Sequence, residues 1–164
     1  RPKIFKNGDF IFGYTTSFRM GQLIEFTWKQ PEKLNSQTED FYIYKVVVDS
    51  IKFMLKNDGF ATDKDGGEFL FGYNGRLFKM QNDFAIFEVK SYDACGCGED
   101  EALAVLFTLD KINFKPSLEL LPQKDIGAVE CSLQLAINAA SVNKTGVSEQ
   151  YDYIKLEPPK KETE

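Results

Sequence analysis

The stretch that decides the fold is Gly67-Glu-Phe-Leu-Phe-Gly-Tyr73-Asn-Gly-Arg-Leu-Phe-Lys-Met80-Gln-Asn-Asp-Phe-Ala-Ile-Phe-Glu-Val89-Lys-Ser-Tyr-Asp-Ala-Cys-Gly-Cys-Gly98. Asn74-Gly75 sits between two short apolar runs, Phe69 to Tyr73 and Leu77 to Met80. A tight primed turn needs positive φ at both central residues, and Asn-Gly meets that need, so the pair predicts a β-hairpin. Gln81-Asn82-Asp83 makes a second polar break before a run from Phe84 to Val89, and a further run starts near Tyr92. The middle of the chain therefore reads as an antiparallel meander of about three or four strands. It ends in small residues and passes directly into a helical pattern.

Working outward, Lys3 to Phe5 reads as a short strand, Asn7-Gly8 as a turn, and Phe10 to Tyr14 as the strand that completes a hairpin. Thr16 or Ser17 can cap a helix running from about Phe18 to Lys29, with Met20, Leu23, Ile24 and Trp28 on its apolar face. After a polar loop, Glu39 or Asp40 starts a second helix through Phe41, Tyr44, Val48, Ile51 and Leu55, and Asn57-Asp58-Gly59 ends it. A third helix is expected over Glu99 to Leu109, with Glu99, Asp100 and Glu101 where the helix dipole favours negative charge. A fourth is expected over about Asp125 to Val142, and a closing strand over Tyr151 to Leu156. Residues 157–164, with Pro158-Pro159 and mixed charges, read as a flexible tail beyond a single domain over 1–156.

Strands come in antiparallel blocks and helices in pairs. That order fits the α+β class and a four-layer α-β-β-α sandwich; a doubly wound fold would alternate strand and helix singly. The 164 residues suffice for a core, and 15 phenylalanines predict that it is largely phenylalanine. The net charge of -5 and the lack of a basic stripe argue against a nucleic-acid partner. No run approaches the roughly 20 apolar residues of a membrane span, so no membrane association is expected.

Three cysteines do not read as a disulfide framework and favour a reducing compartment. With no histidine, Ser-His-Asp and Cys-His catalysis within the chain are excluded, as are the usual zinc sites. The loop Ala61 to Gly67 lacks the third acidic ligand and the distant Glu of a calcium loop and reads as an ordinary turn. Cys95 and Cys97 read as a tight turn before a helix rather than a metal or redox motif. No cofactor is expected.

Three segments, in order, resemble a known family. They are Lys3-Ile-Phe-Lys-Asn-Gly-Asp-Phe-Ile-Phe-Gly-Tyr-Thr-Thr-Ser-Phe-Arg-Met-Gly-Gln22, Gly66-Gly-Glu-Phe-Leu-Phe-Gly-Tyr-Asn-Gly-Arg-Leu-Phe78, and Tyr92-Asp-Ala-Cys-Gly-Cys-Gly-Glu-Asp-Glu-Ala-Leu-Ala104. Together they are similar to the proteasome β-type and HslV-type subunits of the N-terminal nucleophile hydrolases, and most of all to the compact proteasome-like proteins of phages and bacteria. The resemblance implies a threonine peptidase whose first mature residue is the nucleophile and whose own α-amine is the base. It implies a homo-oligomeric ring, a polypeptide substrate, an ATPase unfoldase as partner, and a cytoplasmic location in a bacterium or phage-infected host.

Carried over by position, the resemblance puts Lys3 at the nucleophile-activating lysine and Thr15, Thr16 and Ser17 at the turn that supplies the oxyanion donor. It puts Cys97 at a supporting serine, with Asn138 and Ser141 as looser matches to a later acid and serine. The family's N-terminal threonine and the hairpin that bears it have no counterpart here. The chain is therefore expected to start partway into the family's domain, to carry no nucleophile at Arg1, and to leave an apolar sheet edge open. A non-catalytic subunit of the same fold, serving assembly or a phage particle, is the competing expectation. A small-molecule amidohydrolase of the superfamily has less support.

Overall fold

A computed structural model describes residues 2–15, 17–62, 65–114, 127–143, 147 and 152–155. Among these described residues five strands form one antiparallel sheet in the order β1-β2-β3-β4-β5: β1 Ile4–Asn7, β2 Phe10–Tyr14, β3 Phe69–Tyr73, β4 Arg76–Met80 and β5 Ile86–Val89. The helical elements are α1 Phe18–Phe26, α2 Glu39–Phe41, α3 Val48–Asn57, α4 Glu99–Lys111 and α5 Ala128–Asn143; a π-helical stretch, Tyr42–Val47, joins α2 to α3. The chain is thus of the α+β class expected from its sequence. It divides into two compact units, residues 1–91 with 152–164, and residues 92–151.

In the first unit the turns behave as their residues require. Asn74 and Gly75 have φ of 49° and 78°, the pairing expected of a type I′ turn, and Tyr73 faces Arg76 across it. Gly8, at φ 61°, opens the tight turn that sets Asn7 against Phe10. Strand register then places Phe5, Phe12, Phe71 and Phe78 in one row across the sheet, with Tyr14, Phe69 and Met80 in the next. These side chains are buried in one cluster with Met20, Leu23 and Ile24 of α1 and Val48, Ile51, Met54 and Leu55 of α3. Phe71 stacks on Phe78 at 5.2 Å, and Trp28 meets Phe10 and Phe12 edge-on at 5.5 and 5.4 Å. The other side of the sheet carries the pair Lys79 Nζ–Glu68 Oε1 at 2.8 Å, with the lysine almost wholly buried.

Five expectations need correction. Helix α1 ends at Phe26 rather than Lys29, because Trp28 turns inward and its Nε1 donates to Ser50 Oγ at 2.9 Å. The segment through Tyr44 is not a uniform α-helix; it widens into the π-helical turn, which aims Tyr42, Ile43 and Val47 into the core. Phe84 does not begin a strand: at φ 68° it lies in the turn before β5, its buried ring over Gly66. The run near Tyr92 is irregular, and residues 152–155 of the expected final strand carry no regular structure. The ends of that expected strand, Tyr151 and Leu156, lie outside the described residues, as do Asp125 and the tail 157–164.

In the second unit, α4 packs along α5. Gly98 precedes α4, and Glu99, Asp100 and Glu101 occupy its first turn. Helix α5 has a single charged residue, Glu130, and is apolar around much of its circumference.

Candidate functional site

Lys3 lies just before β1, which is an edge strand of the sheet. Its carbonyl accepts a hydrogen bond from the Tyr14 backbone N–H at 3.0 Å, which continues the β1–β2 pairing by one step. That bond brings Lys3 to the end of β2, where the chain turns into α1. The Lys3 side chain is exposed, and its Nζ lies 5.2 Å from the centroid of the Phe18 ring. Phe18 is the first residue of α1 and is 54% exposed. Tyr14 meets it edge-on at 6.3 Å.

Ser17 caps α1. Its Oγ accepts from the Met20 N–H at 3.3 Å, and its carbonyl accepts from the Gly21 N–H at 3.3 Å. The Ser17 N–H donates to the Thr15 carbonyl at 2.7 Å. A donor committed to a backbone carbonyl is not presented to a developing oxyanion. Thr16 lies outside the described residues. The fold therefore gathers Lys3, Thr15 and Ser17 at one end of the β1–β2 hairpin, together with Phe18, which the sequence had not singled out. The signal that finds it is the hairpin register: once Ile4 faces Gly13, Lys3 must lie beside the turn that leads to Phe18.

Cys97 belongs to the second unit, in the turn between Gly96, at φ 104°, and Gly98. Its side chain is exposed, Cys95 is half-buried, and neither is joined in a disulfide. On α5, the Ser141 hydroxyl donates to the Asn138 carbonyl one turn back, at 2.7 Å. Among the described residues no cluster of histidine, cysteine, aspartate and glutamate could hold a metal ion.

A second polar constellation escaped the sequence reading. Arg76, in β4, meets Glu39 Oε1 at 3.0 Å, Asp40 Oδ1 at 2.9 Å and Glu88 Oε2 at 2.5 Å. Asn74 Nδ2 donates to the other oxygen of Glu39 at 2.6 Å, and the guanidinium lies 5.0 Å from the centroid of the Phe78 ring. Hydrogen bonds to Glu88, Glu39 and Asp40 hold the Arg76 guanidinium protonated far above any physiological pH. In return Arg76 keeps the Glu88 carboxyl below its ordinary range. This cluster pins the start of α2 onto the β3–β4 hairpin. Nearby, burial pushes the Tyr42 phenol up, and its hydroxyl donates to the Pro31 carbonyl at 2.7 Å.

No protein-family model matches the sequence, and no curated protein matches it. Solved structures do. Thiobacillus denitrificans BPH in complex with epoxomicin is similar with a TM-score of 0.61 and 17% identity, over 87% of this chain and 72% of that chain. A second structure of Thiobacillus denitrificans BPH gives 0.57 and 18% over the same shares. BPH is a bacterial proteasome homolog. At such identity the likeness is one of fold alone: the chain has a proteasome-like fold.

Proposed function

We propose that the chain is part of a subunit of a proteasome-like, self-compartmentalised threonine peptidase. Its nucleophile would be the first residue of the mature protein, on a segment preceding Arg1. The observation that carries this reading is the coincidence of fold and lysine. The proteasome-like fold extends over 87% of the chain, and the hairpin register brings Lys3 to the Thr15–Ser17 turn. An ammonium at that place can ease proton removal from a hydroxyl whose base is its own α-amine. On this reading the subunits close into a homo-oligomeric ring around a chamber, polypeptides are the substrates, and an ATPase unfoldase delivers them. The setting would be the cytoplasm of a bacterium or of a phage-infected host. Cys97 would take the place of the serine that supports the nucleophile's amine.

Intact mass and terminal sequencing of the native protein test the reading, joined to hydrolysis of a small fluorogenic peptide amide. A mature terminus at threonine, with turnover abolished by Lys3→Ala, supports it. A terminus lacking threonine, serine or cysteine overturns it.

One observation favours a second reading, a non-catalytic subunit of the same fold kept for assembly. The Ser17 N–H is already bonded to the Thr15 carbonyl, so Ser17 does not present its N–H as the donor that an acyl-transfer site needs. Peptide turnover that depends on Lys3 would overturn the second reading.

A further inference from the structure

We infer that Phe18 is a positioning residue for Lys3: its ring holds the lysine ammonium at the Thr15–Ser17 turn. The inference rests on the peptidase reading above and adds a residue to it.

Lysine is a compact charge on a flexible four-carbon stem, so an exposed lysine at a sheet edge samples many positions. A reacting group gains by having that search done in advance. Here both ends of Lys3 are fixed. Its carbonyl is tied to the Tyr14 N–H at 3.0 Å, and its Nζ lies 5.2 Å from the Phe18 centroid, within the roughly 6 Å over which a ring face attracts a cation. The ring is itself supported. Tyr14 stands edge-on to Phe18 with an interplanar angle of 79°, and Tyr14 is buried against Gly21, one turn further along α1. Gly21, Tyr14, Phe18 and Lys3 thus form a continuous line of contacts from the core to the exposed ammonium.

Two other lysines, Lys52 over Phe84 and Lys111 over Phe107, lie at the same 5.2 Å from a ring centroid but belong to no site considered above. They are internal controls for the spectroscopic test.

The test uses the full-length protein with its lysines reductively methylated with ¹³C, which keeps their charge. The Lys3 signal is assigned from its loss in Lys3→Arg. Ring current should displace that signal in the parent; Phe18→Leu should return it to the free-lysine position, while Phe18→Tyr keeps it displaced and the control lysines stay unmoved. On a fluorogenic peptide amide, Phe18→Leu should lower kcat about two- to fivefold with KM unchanged, and Phe18→Tyr should restore it. Phe18→Met replaces the leucine variant if Trp28 fluorescence shows that the latter is unfolded.

An unmoved Lys3 signal in Phe18→Leu overturns the inference, as does an unchanged kcat or a loss that tyrosine does not rescue. A parent without turnover overturns the peptidase reading and the positioning role with it, whatever the spectrum shows. The two failures are therefore distinguishable.

Discussion

Gly21→Ala offers a prediction whose sign depends on the structure. In an exposed helix interior, glycine to alanine stabilises by about 1 kcal/mol, since alanine loses less backbone freedom. At Gly21 the opposite should hold. A Cβ there would collide with the Tyr14 ring, 2.6 Å from Cε2 and closer still to Cζ and Cε1. Ordinary contact begins near 3.4 Å, so the ring must retreat by about an ångström into a close-packed core. Tyr14 is 6% exposed and lies 6.1 Å from Phe5, so it has no open side to move toward. Overpacking of this kind costs about 1–3 kcal/mol, which outweighs the helical gain and leaves the variant about 1–2 kcal/mol less stable. Trp28 is the chain's one tryptophan, and it lies in the same core. Urea unfolding followed by its fluorescence therefore reads the unit concerned, and a lower midpoint at constant slope reports the loss. Tyr14→Leu should relieve it, so the double variant should lose less than the sum of the single ones. If Gly21→Ala unfolds at the same urea concentration as the parent or a higher one, the argument is wrong.

Three further changes test other parts of the fold. Gly75→Ala forces an L side chain to φ 78° in the β3–β4 turn and should cost about 1 kcal/mol in urea unfolding. Trp28→Phe loses the bond from Nε1 to Ser50 Oγ and should cost about 1–2 kcal/mol, followed by circular dichroism because the fluorophore is gone. Arg76→Met removes three carboxylate contacts at a partly exposed cluster, where solvent screens each pair, and should cost about 1–2 kcal/mol at pH 7. The Glu88 carboxyl is held below its ordinary range in the folded state, so its contribution is complete above about pH 5 and fades as pH falls through the lowered value. The gap between parent and Arg76→Met should therefore narrow in acid; a gap that widens below pH 4 would contradict the assignment.

The features legible in the sequence are those with a local cause. Asn74-Gly75 specifies its turn through backbone sterics alone, and the register that follows sets the phenylalanine rows. Ser17 announces α1 because a side-chain oxygen can satisfy a free N–H within three residues; Thr38, read from sequence only as loop, caps α2 in the same way. What stayed hidden depends on distant partners. Trp28 leaves its helix for Ser50, 22 positions away. Phe84 takes positive φ because Gly66 leaves room for its ring. The π-helical turn adds a residue inside a pattern whose mean period still looks helical. The stretch Tyr151 to Leu156 reads as a strand from its sequence, but such a pattern does not supply a pairing partner, and residues 152–155 carry no regular structure. The candidate site was legible only in part. The hairpin places Lys3 beside the turn, whereas the chemical role proposed for it rests on the family resemblance, and Phe18 came from the fold.

The same contacts that hold this end of the hairpin also place Lys3, so stability and site geometry should be coupled there and uncoupled elsewhere. Gly21→Ala displaces Tyr14, which supports Phe18 and whose N–H holds the Lys3 carbonyl. It should therefore lower the urea midpoint and shift the Lys3 signal together. Arg76 lies on β4 and Lys3 borders β1, three strand spacings apart, roughly 14 Å. Arg76→Met should lower the midpoint by a comparable amount and leave the Lys3 signal in place. Matching shifts of Lys3 in both variants would mean that the signal follows global stability, and the line of contacts from Gly21 to Lys3 would lose its claim to set the lysine's position. A shift confined to Gly21→Ala leaves that line as the route by which core packing reaches the ammonium.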